Sequence, residues 1–118
     1  MRKAGLLFMG VIVLDQLALR LFRAPVSTVR YFDFFPLYIS WALAIIILVA
    51  LVLLFSKRPA TYPALGLLAG GFISNLVTFT VKGAYLDYIP TGFSYINIAD
   101  IGIVIGAIWL VWVIKKEA

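Results

Sequence analysis

Four long apolar segments determine what this chain can fold into. They cover residues 4–22, 36–55, 62–81 and 94–114. Because roughly 20 apolar residues in a helix cross the ~30 Å core of a bilayer, each segment is long enough to span a membrane. Of the 118 residues, 64% are hydrophobic and 13% are charged, whereas about a quarter of the residues in a soluble domain are charged. The sequence predicts an all-α fold, in which residues 1–118 form a single domain of four transmembrane helices.

The basic residues between these segments indicate the orientation of the bundle. Six lie at the two termini and in the loop between the second and third segments: Arg2, Lys3, Lys57, Arg58, Lys115 and Lys116. About four lie on the other side: Arg20, Arg23, Arg30 and Lys82. Cytoplasmic loops carry the excess of Lys and Arg, so we expect both termini in the cytoplasm. The basic residues form no stripe, and nucleic acid is therefore not an expected partner. A secretory signal peptide is the alternative for the first segment, but the segment has no small-residue cleavage site before Arg23.

The absence of cysteine and histidine narrows the possible chemistry. It excludes disulfides, thiol nucleophiles, Ser-His-Asp triads and the usual zinc ligand sets, and we expect neither a metal nor a cofactor. Five carboxylates remain: Asp15, Asp33, Asp87, Asp100 and Glu117. An ionisable residue at the centre of a membrane helix costs at least roughly 2.5–3.5 kcal/mol. Asp15 and Asp100, which lie within apolar segments, therefore need a structural or functional reason.

Polar residues of three segments fall at similar depths in the outer half of the bilayer. At about 1.5 Å per residue, Asp15 lies roughly 16 Å from the inner face, and Asn75 and Asp100 each lie roughly 20 Å from it. One face of the third segment is small and polar at helical spacing, and comprises Gly71, Ser74, Asn75 and Thr78. Asn97 is three residues before Asp100 and is expected on the same helix face. This pattern predicts a shared polar cavity, although interhelical hydrogen bonding alone also accounts for the two asparagines.

Two glycines on the fourth segment have a different interpretation. Gly102 and Gly106 form a Gly-x-x-x-Gly pattern, which is typical of helix packing surfaces in membranes. They lie nearly opposite Asn97 and Asp100 on the helix. We therefore expect them to contact another helix and to have no chemical role.

Asp87 lies in the loop KGAYLDYIPTGF, residues 82–93, which follows the third segment. An aspartate near Gly and Pro is most often a solvated loop residue. This loop, however, is short and apolar, and it returns directly to the helix that carries Asp100. Two carboxylates brought together cannot both ionise cheaply, and the pair therefore shares a proton. One then activates water as a base while the other donates to the scissile carbonyl, as in aspartic proteases.

Four short stretches resemble the motifs of a known family. VLDQLALRLF (13–22) resembles V-L-D-Q-x-x-K, and GGFISNLV (70–77) is similar to G-G-x-x-G-N-x-x-D-R. GAYLDYI (83–89) is similar to G-x-V-x-D-F-I, and INIADIGIVIGA (96–107) resembles F-N-x-A-D-x-x-I-x-x-G. These are motifs of signal peptidase II, the lipoprotein signal peptidase of bacteria.

The resemblance implies an intramembrane aspartyl endopeptidase. Such an enzyme removes signal peptides from diacylglyceryl-modified prolipoproteins at the outer face of the bacterial cytoplasmic membrane. The catalytic residues would be Asp87 and Asp100, with Asp15, Asn75 and Asn97 in supporting roles. The expected partners are the lipid-modified prolipoprotein and membrane lipid, and a monomer is favoured over an oligomer.

The chain departs from the family pattern at three places, which keeps other functions open. Thr78-Phe79 replaces Asp-Arg after the asparagine of the third helix, Leu19 replaces a lysine, and the outer stretch 23–35 is short. A catalytically silent relative of the peptidase is one alternative. A small proton-coupled multidrug transporter that uses Asp15 is another, and a non-enzymatic assembly or lipid-binding protein is a third.

Overall fold

The computed structural model describes residues 2–21, 27–29, 37–82, 85–87, 89–90 and 95–117, and it describes the backbone alone for strands 27–29 and 85–87 and for residues 37, 82, 90 and 95. The long helices are α1 (Arg2–Leu21), α2 (Leu37–Phe55), α3 (Tyr62–Lys82) and α4 (Ile98–Glu117). A short 3-10 helix, Pro59–Thr61, precedes α3. All four long helices are long and apolar enough to cross a membrane. The predicted all-α transmembrane fold is confirmed.

Four short strands, which the sequence analysis did not predict, lie between the helices in the chain. β1 (Ser27–Val29) pairs antiparallel with β2 (Tyr85–Asp87), and β3 (Ile89–Pro90) pairs antiparallel with β4 (Tyr95–Ile96). The first pair joins the stretch after α1 to the loop after α3. The remainder of the predicted outer stretch 23–35 lies outside the described residues.

The fourth helix differs from its predicted bounds. The first three helices begin and end within two residues of the prediction, whereas α4 begins at Ile98 and ends at Glu117, instead of covering 94–114. Tyr95 and Ile96 are apolar enough to continue a membrane span, but their backbone is paired in strand β4. Asp100 therefore lies in the first turn of α4, nearer the helix start than predicted.

Helix α3 is the centre of the bundle and packs against α1, α4 and α2. Glycines allow the close approach: a Cβ on Gly70 would lie 2.7 Å from the carbonyl oxygen of Phe8 on α1. On α4, a Cβ on Gly102 would meet both methyl carbons of Val11 at 3.2 Å, and one on Gly106 would meet the Ala64 carbonyl oxygen at 2.9 Å. The predicted packing role of Gly102 and Gly106 is confirmed. Helix α2 is the most exposed of the four.

Contacts at the helix ends show which ends lie together. Ala4 near the start of α1 lies against Gly66 near the start of α3. Arg58, in the loop between α2 and α3, forms an ion pair with Glu117 at the end of α4, with 3.8 Å between Nε and Oε2. The six basic residues predicted to be cytoplasmic therefore share one end of the bundle, which we call the basic end. The cytoplasmic orientation of this end stays a prediction.

Candidate active site

The first turn of α4 is closed by a reciprocal pair of hydrogen bonds between Asn97 and Asp100. The side-chain oxygen of Asn97 accepts from the Asp100 backbone N–H at 2.8 Å, and the Asn97 N–H donates to Asp100 Oδ2 at 3.3 Å. The Asn97 carbonyl accepts the first helical bond, from Ile101. This is the geometry of a capping box. The three-residue spacing thus brings the two residues together, as expected of residues that share a face, but Asn97 caps the helix and does not lie within it.

Asn75 of α3 joins this cap to the neighbouring helix. Its Nδ2 donates to Asp100 Oδ1 at 3.2 Å, and its Oδ1 accepts from Nδ2 of Asn97 at 3.0 Å. The three residues thus form a closed ring of hydrogen bonds, in which the backbone N–H groups of Asn97 and Asp100 complete the link between those two residues. Asn97 is 2% exposed, whereas Asp100 is only partly buried. The ring fixes the Asp100 carboxyl while leaving part of that residue accessible.

Asp15 of α1 holds the same helix start from another helix. It is 2% exposed, its Oδ2 accepts from Ser74 Oγ at 2.6 Å, and its Oδ1 accepts from the Ala99 backbone N–H at 3.2 Å. The first N–H groups of a helix have no partner within that helix, so the Asp15 carboxyl supplies one from another helix. Asp15 therefore connects α1, α3 and α4 at the level of Asp100.

Gln16, which the sequence analysis quoted in a motif but did not assign to the site, adds a second link between α1 and α3. Its Nε2 donates to the hydroxyl oxygens of Ser74 at 3.1 Å and Thr78 at 2.9 Å. Thr78 lies where the family motif has an aspartate, and its hydroxyl oxygen accepts a hydrogen bond from the neutral amide of Gln16. The signal for Gln16 was present in the sequence, because it follows Asp15 directly and the polar face of α3 needs partners.

The position of Asp87 follows from the strands. Its backbone ends β2 opposite Ser27, and two residues later Ile89 pairs with Ile96, the residue directly before Asn97. Two residues span at most about 7 Å, so the Cα of Asp87 lies within that distance of Ile89. The strands thus bring the backbone of Asp87 towards the start of α4. The side chain of Asp87 lies outside the described part of the chain.

The polar groups of this region are satisfied within the protein. Among the described residues, no buried side-chain nitrogen or oxygen lacks a hydrogen-bond partner. Within the same ranges, no three His, Cys, Asp or Glu residues are grouped so that they could hold a metal ion. The arrangement is a hydrogen-bonded carboxyl site whose geometry is held by neighbouring helices.

Comparison with known proteins decides the family. The family model of signal peptidase (SPase) II matches residues 24–116, which is more than three quarters of the chain. The chain belongs to the signal peptidase II family. The resemblance found in the motifs is thereby confirmed, and membership indicates a membrane-embedded protease of the lipoprotein-processing type.

Two solved structures, both described as bacterial membrane enzymes, share the fold. The first, at 2.3 Å resolution, has a TM-score of 0.79 and 21% sequence identity, and the match covers 99% of this chain and 90% of the other. The second, at 1.9 Å resolution, has a TM-score of 0.76 and 21% identity, with 100% and 96% covered. A search of curated proteins found no match.

Proposed function

We propose that this member of the signal peptidase II family is an aspartyl endopeptidase in which Asp87 and Asp100 form the catalytic pair. The observation that carries the proposal is the fixed carboxyl of Asp100. Both of its oxygens accept hydrogen bonds, one from Asn75 and one from the backbone of Asn97. A carboxylate oxygen has two lone pairs, so each still has the capacity to bind a water molecule.

In the proposed reaction, one carboxyl group acts as the base and the other acts as the acid. The ionised carboxyl takes a proton from water as the water oxygen attacks the scissile carbonyl carbon. The protonated carboxyl gives its proton to the carbonyl oxygen, which yields a neutral tetrahedral intermediate. When the intermediate collapses, the protonated carboxyl gives its proton to the departing nitrogen as the peptide C–N bond breaks, and one hydroxyl of the intermediate returns its proton to the ionised carboxyl, so the pair again holds one proton. Neither a metal nor a nucleophilic side chain takes part.

The supporting residues hold Asp100, one member of the pair, in position. In this proposal Asn75 and Asn97 orient Asp100 directly, and Asp15 acts through the backbone of Ala99 at 3.2 Å. Reactive groups have to be held close to the productive geometry, because a displacement of about 1 Å can lower the rate by about 100-fold. Hydrogen bonds that involve residues of three helices fix the position of Asp100 more firmly than contacts from a single loop would.

The proposed substrates are diacylglyceryl-modified prolipoproteins, whose signal peptides are cut at the outer face of the cytoplasmic membrane. This side is supported by charge: Lys and Arg accumulate at the basic end, the start of α4 is at the other end, and basic ends face the cytoplasm. We further propose that the protein acts as a monomer, with membrane lipid as its surroundings.

The proposal is tested by cleavage of a diacylglyceryl-cysteine precursor peptide with the protein in lipid nanodiscs. We expect Asp87→Asn and Asp100→Asn each to abolish cleavage, because an amide cannot exchange the proton that the pair shares. Glu117→Gln, which changes an exposed acid at the basic end, is the matched control and should cleave at the wild-type rate. Thermal unfolding of each variant shows whether the fold is retained.

Two outcomes would reject the proposal. Full activity in either aspartate variant would remove that residue from the catalytic pair. Binding of the lipid-modified precursor by the wild-type protein without cleavage would identify a catalytically silent relative. The transporter alternative predicts proton-coupled flux into liposomes that Asp15→Asn abolishes and that the variants of Asp87 and Asp100 retain.

A further inference from the structure

An apolar groove lies at the basic end, away from the candidate active site. It has a volume of about 410 Å³ and is lined by α1, α2 and α3, with Gly5 and Phe8 on the first helix, Val52 on the second, and Leu65 and Ala69 on the third. Helices α1 and α2 both rest on α3, and the small residues between them leave the space open. The candidate active site uses none of these residues.

Two lysines are chain neighbours of residues that line the groove. Lys3 directly precedes the lining residue Ala4, and Lys57 directly follows the lining residue Ser56. Both lysines are exposed. The acid nearest to this end in the described chain, Glu117, pairs with Arg58. Apolar walls close to exposed cations match a ligand with an apolar tail and an anionic head.

We propose that this groove binds an anionic phospholipid from the leaflet at the basic end. One acyl chain would lie between α1 and α2 on the surface of α3, and the phosphate would lie between Lys3 and Lys57. The volume is within the range of about 300–1,000 Å³ that is typical of ligand pockets. Basic pockets between transmembrane helices on the cytoplasmic side are known to bind anionic lipid head groups.

The length of the groove and the positive charge near it disfavour a helix as the occupant. The lining residues extend over only about 6–10 Å along each helix, whereas a transmembrane helix is about 30 Å long. A signal peptide would also bring its positively charged n-region next to Lys3 and Lys57. A lipid with an anionic head avoids the charge repulsion, and its flexible acyl chain can continue beyond the groove into the bilayer.

Two matched pairs of variants test the proposal. A Cβ on Gly5 or on Gly10 would have no atom within 4 Å, so a side chain can start from either position without a close contact at its Cβ. Of these two glycines only Gly5 lines the groove, so Gly5→Leu adds a side chain at its wall, whereas Gly10→Leu is the control. The second pair compares Lys3→Gln/Lys57→Gln with Lys115→Gln/Lys116→Gln, which removes the same charge at the same end without altering the chain neighbours of the groove.

The measurement is native mass spectrometry of the full chain, purified in detergent and mixed with equal amounts of phosphatidylglycerol and phosphatidylcholine that carry the same acyl chains. We expect one phosphatidylglycerol per chain in the wild type and in Gly10→Leu, and its loss in Gly5→Leu. Each lysine near the surface contributes about 1 kcal/mol, or about 5-fold, so the Lys3/Lys57 variant should lower the preference for phosphatidylglycerol by about 30-fold. The Lys115/Lys116 variant should retain it.

The other occupants give different masses. A second copy of the chain adds 13.1 kDa, and phosphatidylcholine bound as well as phosphatidylglycerol identifies a purely apolar site. Either result overturns the proposal. It is equally overturned if Gly5→Leu retains the lipid, or if both lysine variants lose it to the same extent, since binding would then be a general attraction to the basic end.

Discussion

The substitution Gly71→Ala tests whether the position of Asp100 depends on the close approach of α3 and α4. An alanine Cβ at this position would lie 2.6 Å from the carbonyl oxygen of Ala99 and 2.5 Å from Cγ1 of Ile103. The Ile103 side chain can change its rotamer. The Ala99 carbonyl belongs to the backbone of α4, one residue before Asp100, so the start of that helix has to move.

The size of the movement follows from these distances. Ordinary van der Waals contact begins at 3.4 Å, so the 2.6 Å contact requires a shift of about 0.8 Å away from α3. The bond from Asn75 to Asp100, now 3.2 Å, would lengthen to about 4 Å, which is beyond hydrogen-bond range. Overpacking of this kind costs about 1–3 kcal/mol of stability. A displacement near 1 Å at the reacting groups lowers the rate by up to about 100-fold, and we expect kcat/KM to fall by about 10- to 100-fold.

The neighbouring glycine provides the control. A Cβ on Gly70 would lie 2.7 Å from the carbonyl oxygen of Phe8, so Gly70→Ala has a similar clash but with α1. Gly10→Ala adds a methyl group with nothing within 4 Å. Thermal unfolding gives the unfolding midpoint of each variant. The value of kcat/KM for the precursor peptide is then measured at one temperature below all of these midpoints. Equal losses of kcat/KM in Gly70→Ala and Gly71→Ala would refute the reasoning, as would an unchanged unfolding midpoint in Gly71→Ala.

Two further predictions concern the links between helices. Asp15→Ala leaves the Ala99 N–H and the Ser74 hydroxyl without their acceptor, and each such group costs about 1–3 kcal/mol of stability when buried. The unfolding midpoint of this variant should fall clearly below that of Glu117→Ala. Equal midpoints would contradict the role given to Asp15. The Gln16–Thr78 bond should give a coupling of about 0.6–1.7 kcal/mol, the range for interhelical bonds in membranes, in a double-mutant cycle of Gln16→Leu and Thr78→Val; a coupling of zero would show that the bond does not stabilise the fold.

The predictable parts of this structure follow from hydrophobicity and helical periodicity. Membrane spans are read from long apolar runs, which is why α1, α2 and α3 have nearly their predicted bounds. The polar face of α3 was also visible, because Ser74, Asn75 and Thr78 recur at helical spacing. Burial in an apolar environment forces such groups to find partners, and Ser74 and Asn75 do contact Asp15 and Asp100.

The unpredicted parts depend on local backbone geometry and on pairing between distant segments. Tyr95 and Ile96 fit an apolar helix equally well by composition, and only their pairing with Pro90 and Ile89 makes them a strand. That pairing moves the helix start to Ile98 and turns the Asn-x-x-Asp sequence into a cap. Pairing of β1 with β2 joins residues almost 60 positions apart, and no short-range pattern encodes it.

The replacement of the family's Asp-Arg pair by Thr78-Phe79 affects charge more than packing. Thr78 is 4% exposed, and its hydroxyl accepts from Gln16 at 2.9 Å, so a neutral bond joins α1 and α3 at this level. A neutral bond avoids the cost of an ionisable residue within the membrane, at least roughly 2.5–3.5 kcal/mol. The fold therefore does not require the missing pair, and what the replacement removes is one acid and one cation of the family pattern. It follows that a stable fold is expected of an active peptidase and of a silent relative alike, and that the cleavage assay on the wild type, with Asp87→Asn and Asp100→Asn beside it, is the decisive one.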